Sequence, residues 1–209
     1  MTLIQQYAPA VAIGYLLGCL NLAWLLGRRK NINLKQSGSG NLGASNTVLH
    51  MGLASGTAVA AHDILKAVLA VLIAQILFPN IPCAGYAAGA AAVLGHIAPF
   101  WLKFSGGKGF APFIGFMIAT DWRAGIVILL IGSVLVFVSD YIVTATFTSI
   151  ILYPLCVIFL NHNLTAGLIV TAVSVIIFIK HIENIQRILD KQESSVRKAV
   201  KGGKTGPEI

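Results

Sequence analysis

Long apolar stretches alternate with short polar ones along almost the whole chain. They run from Tyr7 to Leu26, Gly52 to Phe78, Cys83 to Leu102, Phe110 to Ala119, Gly125 to Val138, Ile142 to Leu160 and Leu164 to Ile179. Most are about 15 to 25 residues long, the length a helix needs to cross roughly 30 Å of hydrocarbon. The pattern predicts an all-α, polytopic membrane protein of about seven transmembrane helices. Phe110 to Ala119 is too short to cross at about 1.5 Å per residue, so a half-helix or a locally thin membrane is expected there.

Composition sharpens this picture. Of 209 residues, 56% are hydrophobic and 11% charged, against about 25% charged in a soluble domain. Mean hydropathy is +0.82. These values exclude a secreted disulfide scaffold, a soluble Rossmann enzyme and, despite the net charge of +8, a nucleic-acid binder. If the spans alternate, one side receives Arg28 to Lys30, Lys35, Lys103, Lys108, Lys180 and the basic residues beyond, while the other receives only Arg123. Basic residues stay on the cytoplasmic face, so the N-terminus is expected outside and the C-terminus inside. The first run, followed rather than preceded by Arg28, Arg29 and Lys30, reads as a retained span and not a cleavable signal. Cys19, Cys83 and Cys156 lie in apolar runs and read as small core side chains. Residues 1–187 are expected to form a single transmembrane domain. Residues 188–209 are expected to form a basic cytoplasmic tail that begins as a surface helix and runs into disorder.

Three polar segments stand apart, and alternation puts all of them on the cytoplasmic side, where they are expected to converge on one pocket. The first runs from Ser37 to Asn46 and contains Gly38, Ser39, Gly40, Asn41 and Gly43. Glycines at this density let successive backbone N–H groups turn toward one anion, with Ser and Asn as further donors. A flexible turn would have the same composition. The spacing also fits a dinucleotide fingerprint, but no strand precedes it. The second segment joins Gly95, His96 and Pro99 to Gly106, Gly107, Lys108 and Gly109, close backbone approach plus a point charge. It lacks the residues of a Walker loop at Leu102 and Gly109. In the third, His181, Asn184 and Arg187 recur every third residue and share roughly one helix face. Within the second run, His62, Asp63 and Lys66 place ionisable groups in hydrocarbon, where an Asp63–Lys66 pair bracing a polar cavity is expected.

These motifs resemble the acyl-phosphate-dependent glycerol-3-phosphate acyltransferases of bacterial membranes. The family's Gly-Ser-Gly-Asn-x-Gly-Ala-Thr-Asn run is similar to Gly38 to Asn46, with Ser45 for Thr. Its Gly-His-x-x-Pro and Phe-Lys-Gly-Gly-Lys-Gly resemble Gly95 to Gly109, with Ser105 for the first lysine. Its His-x-x-Asn-Ile-x-Arg matches His181, Asn184, Ile185 and Arg187, and its Asp-x-x-Lys matches Asp63 and Lys66. The likeness extends to about Glu193.

The resemblance implies a seven-helix bundle in the bacterial plasma membrane that works at its cytoplasmic face. The implied reaction moves a fatty acyl group from acyl phosphate to the 1-hydroxyl of glycerol 3-phosphate, giving lysophosphatidate and phosphate. Both substrates carry phosphate, and the acyl chain wants hydrocarbon beside it, which suits glycine nests at a membrane interface. The resemblance implies catalytic roles for Ser39, His181 and Asn184. It implies substrate contacts from Gly38, Gly40, Asn41, Gly43, Asn46, His96, Gly106, Gly107, Lys108, Gly109 and Arg187. Neither a metal nor another cofactor is expected. The base could be His181, His96 or a substrate phosphate oxygen. Thioester-dependent acyltransferases carry Asp five residues after a His. Here those positions hold Ser55, Ala67, Trp101, Gly167 and Gln186. A divergent relative with another acceptor or no activity, and an anion transporter, are the competing readings.

Three phosphate-holding positions depart from the family pattern. Leu49, beside His50, stands where an arginine is usual, Val143 where a serine is usual, and Ser105 replaces a lysine. A bidentate arginine contact contributes about 1.5 to 3 kcal/mol. Leu49→Arg is therefore expected to lower the apparent KM for glycerol 3-phosphate by about tenfold in a steady-state assay. An unchanged or higher KM would count against this alignment.

Overall fold

The structure, a computed structural model, describes residues 2–193 and 195–197, and every regular element among them is helical. Cα packing divides the chain into two compact units, Met1–Trp122 and Arg123–Ile209.

In the first unit the opening apolar run is broken. Helix α1 (Leu3–Gly18) ends at Cys19, and α2 (Leu22–Arg29) starts anew with Asn21 as its cap, the Trp24 N–H donating to Asn21 Oδ1 at 2.8 Å. A break inside an apolar stretch leaves carbonyls without helical partners, and in hydrocarbon they need others. Trp101 Nε1 donates to the Cys19 carbonyl at 2.9 Å, and Lys66 Nζ donates to the Leu20 carbonyl at 2.7 Å. Helix α3 (Ala44–Met51) is separated from α4 (Leu53–Leu77) by Gly52, whose φ of 83° favours glycine. Helix α5 (Ala84–Ile97) stops before Pro99 and leads through a 3-10 turn, Phe100–Leu102, into the second polar segment. Helix α6 (Phe110–Thr120) has 11 residues. At about 1.5 Å per residue it is about 16 Å long, too short to cross, as its apolar run suggests.

Small residues set the spacing of these helices. A Cβ on Gly14 would lie 2.1 Å from the Ala88 carbonyl oxygen, and one on Gly18 2.2 Å from that of Ala92. One on Gly95 would lie 2.2 Å from the Tyr15 carbonyl oxygen, so α1 and α5 touch backbone to backbone. The Tyr15 hydroxyl adds a hydrogen bond to the Ala98 carbonyl at 2.8 Å, past the end of α5.

The second unit contains α7 (Trp122–Ser139) from Arg123 onward, α8 (Val143–Leu155), α9 (Leu164–Lys180) and α10 (Ile182–Leu189). After Pro154 in its last turn, which has no N–H to donate, α8 widens into a π-turn over Cys156–Leu160. Helices α9 and α10 meet at His181 with a bend of 43°. The Asp140 carboxylate, between α7 and α8, accepts from the Ser195 hydroxyl and from the Arg197 N–H at 2.9 Å. Those bonds hold its carboxyl below the usual carboxylate range. The expected tail is described only in part, since residues 194 and 198–209 lie outside the described residues.

Each predicted apolar run is helical over most of its length, with breaks at residues 19–21 in the first and 98–99 in the third. Among the described residues five stretches are long and apolar enough to cross a membrane, and six if α9 with α10 is one bent span. Ile76, Leu130, Phe137 and Leu168 are more than half exposed, a surface suited to lipid rather than water.

Candidate active site

The first polar segment is a loop built around Asn46. This side chain is buried at the start of α3, and its Nδ2 lies within hydrogen-bond distance of three loop carbonyls: Leu34 at 3.1 Å, Ser37 at 3.1 Å and Asn41 at 3.0 Å. Its Oδ1 accepts from the Ser39 N–H at 3.3 Å. Asn46 therefore shapes the loop from beneath. Gly38 and Gly40 take φ of 57° and 66°, turns that side chains rarely adopt. Ser39 is exposed and Asn41 half-buried at the rim. Leu34 and Leu42 anchor the loop in an apolar cluster with Ala23, Val59 and Leu102.

Leu102 directly precedes the second loop, and Lys35 Nζ donates to its carbonyl at 3.1 Å, so the first two segments share one base. The second loop folds back on the end of α5. The Gly107 N–H donates to the His96 carbonyl and the Gly106 N–H to the Ile97 carbonyl, each at 3.0 Å. Glycine is required by contact. A Cβ on Gly106 would lie 2.0 Å from the His96 carbonyl oxygen, and one on Gly107 2.0 Å from His96 Nε2. Gly109, at φ 96°, turns the chain into α6, and Lys108 is half-buried beside it. Behind the loop, Asp63 Oδ1 is 2.7 Å from Lys66 Nζ and 3.4 Å from His96 Nδ1. The expected ion pair is therefore present, with His96 as an additional member.

The third segment belongs to the second unit. His181 is buried at the α9–α10 bend, edge-on to Phe147, with Nδ1 2.8 Å from the Ile177 carbonyl. A carbonyl only accepts, so in the neutral ring Nδ1 carries the proton and Nε2 the lone pair. Asn184 Nδ2 and Arg187 Nε each donate at 2.8 Å to the Glu193 carboxylate. Asn184 and Arg187 thus hold one anion between them, as their shared face suggested.

The departures have local settings. Leu49 is 42% exposed on α3. His50, beside it, directs Nε2 at Gly38, where a Cβ would lie 2.5 Å away. Val143 is buried, and Thr144 pairs with the Ser139 hydroxyl at 2.7 Å. Ser105 is exposed.

A family model described as Glycerol-3-phosphate acyltransferase matches residues 8–191. The glycerol-3-phosphate acyltransferase 1 of Oceanobacillus iheyensis is 35% identical over 201 residues, which cover 92% of this chain and 96% of that protein. The chain belongs to the glycerol-3-phosphate acyltransferase family. The corresponding acyltransferase of Mesorhizobium japonicum is 36% identical over 190 residues, covering 90% of this chain and 94% of its own. Among solved structures, PlsY in its glycerol 3-phosphate form, an integral membrane glycerol 3-phosphate acyltransferase, superposes with a TM-score of 0.84 at 28% identity. It covers 90% of this chain and 94% of that one. The lysophosphatidic acid form superposes at 0.83 and 26% identity, covering 93% and 98%. The chain is thus an acyltransferase and an integral membrane protein, and the transporter reading falls away.

Two residues of this acyltransferase escaped sequence reasoning. Glu193, in a stretch read as tail, organises Asn184 and Arg187; its only sequence signal is a carboxylate six residues after Arg187. Leu102 looked like the end of a span, and its carbonyl ties the two loops together. Gly107→Ala forces the second loop off His96, at a cost typical of overpacking, about 1 to 3 kcal/mol. Its kcat/KM is expected to fall about tenfold or more in a protein that still purifies folded; wild-type kinetics would contradict this packing.

Proposed function

We propose that this acyltransferase transfers a fatty acyl group from acyl phosphate to the 1-hydroxyl of glycerol 3-phosphate, releasing phosphate and lysophosphatidate. The observation that carries this reading is the pair of glycine loops on a common base in the first unit, beside helices whose outer faces suit lipid. Glycines let a phosphoryl oxygen approach the backbone closely, and a lysine adds a point charge. Gly38, Gly40, Gly43, Gly106, Gly107 and Gly109 supply the close approach, Ser39, Asn41 and Lys108 the donors, and Asn46 the loop's shape.

Acyl phosphate is a mixed anhydride with phosphate as its leaving group, so no covalent enzyme intermediate is needed. The acceptor oxygen forms a bond to the acyl carbon as the bond from that carbon to the phosphate oxygen breaks. The hydroxyl proton passes to a base and finally to released phosphate. His181 fits the base because its Nδ1 bond leaves the lone pair on Nε2. Asn184 and Arg187 fit the acceptor, since they already hold a carboxylate. His50 beside Gly38 supports compensation for Leu49, and with it glycerol 3-phosphate as acceptor. Proximity and charge stabilisation supply most of the acceleration. The charge asymmetry supports about seven crossings in the bacterial plasma membrane, the N-terminus outside and the reaction at the cytoplasmic face.

The test is phosphate release from palmitoyl phosphate by purified protein, with and without glycerol 3-phosphate. Acceptor-dependent release, reduced about 100-fold by Lys108→Ala, is the expected result. Release indifferent to acceptor, or donor binding with no turnover, would overturn the proposal.

A further inference from the structure

Lys66 has three N–H donors and no acceptor. Each finds an acceptor: Asp63 Oδ1 at 2.7 Å, the Leu20 carbonyl at 2.7 Å and His96 Nδ1 at 3.0 Å. The second acceptor exists because α1 breaks after Gly18, and the third because α4 and α5 pack together. Lys66, Asp63 and His96 are 3%, 2% and 3% exposed, so water does not complete their bonding. His62 Nδ1 approaches the same carboxylate oxygen at 3.3 Å from its outer side.

This arrangement fixes a proton. An ammonium that donates to Nδ1 requires the nitrogen lone pair, so neutral His96 carries its hydrogen on Nε2. Asp63 Oδ1 competes for Nδ1 from 3.4 Å, the longer contact. With Lys66 protonated, a proton on Nδ1 would set two donors 3.0 Å apart. At the other end of the ring, Nε2 abuts Gly107 in the loop read above as a phosphate nest.

We infer that Asp63 and Lys66 are positioning residues that set the His96 tautomer, so that Nε2–H meets a phosphoryl oxygen in the Gly106–Gly109 loop as a neutral hydrogen-bond donor. The Gly106 and Gly107 N–H groups are already bonded to the Ile97 and His96 carbonyls, so His96 supplies the loop with a donor they do not, and it does not accept the acceptor's proton. A bare structural brace does not need this chemistry, since apolar side chains of similar volume brace a helix pair without burying charge. The inference rests on the phosphate-nest reading of this loop.

A double-mutant cycle tests it. Lys66→Met is expected to raise KM for palmitoyl phosphate or glycerol 3-phosphate about tenfold, with a smaller change in kcat. In His96→Gln, whose amide donates without a tautomer, the same replacement is expected to change that KM less than about twofold. An equal loss in both backgrounds would show a purely structural role and overturn the proposal. Asp63→Asn/Lys66→Met removes both buried charges together and guards against misfolding. Nitrogen-15 histidine spectra of the full-length protein in detergent read the proton without turnover. The expected wild-type spectrum has the His96 proton on Nε2, moving to Nδ1 in the double variant. A wild-type proton on Nδ1 would overturn the inference even with transfer intact. Loss of the phosphate-nest reading would instead appear as Lys108→Ala without effect, leaving the spectrum unchanged.

Discussion

Backbone contact between helices is the constraint on which the first unit depends. In lipid, apolar side chains gain little by leaving one hydrocarbon surface for another, so helices associate through close packing and hydrogen bonds. Gly14, Gly18 and Gly95 leave no room for a Cβ between α1 and α5. That closeness brings the broken end of α1 within reach of Lys66, and it lets Tyr15 and Trp101 satisfy carbonyls at helix ends. Each such bond contributes about 1 kcal/mol, and leaving its carbonyl unpaired in hydrocarbon would cost more.

From this contact the polar chemistry follows. A charge pair inside a span survives because both partners are neighbours on α4, and every Lys66 donor is used. His96 links the pair to the second loop, and Leu102 links that loop to the first. The two buried histidines hold their protons on opposite nitrogens for the same reason, the partner at Nδ1. Lys66 can only donate to His96, and the Ile177 carbonyl can only accept from His181. One fold thereby has a neutral donor and a nitrogen lone pair without shifting either ring's charge.

Much of this was legible in the sequence. Apolar runs located the long helices, because about 20 residues of hydrocarbon-compatible chain have few other uses; the eight-residue α3 and α10 lie outside those runs. Asp63 and Lys66 were legible as a pair because three residues is a helical neighbour distance. The break at Cys19 was not, since one asparagine in an apolar run reveals a cap only once its side chain bonds Trp24. Nor was the inclusion of His96, which lies 30 positions from Lys66 and reaches it only through helix packing. Asn46 read as one more donor in a polar motif, and only its buried contacts show it as the loop's frame. Glu193 was hidden in a charged stretch that periodicity treats as solvated surface.

Thermal unfolding and acyl transfer of Gly18→Leu, set beside the same measurements on Leu16→Ala at an exposed α1 position, test the helix contact most directly. Gly18→Leu is expected to lower Tm by about 5 °C or more and to abolish transfer, while Leu16→Ala stays near wild type in both. A Gly18→Leu protein with wild-type Tm and activity would contradict the dependence of the site on the α1–α5 contact.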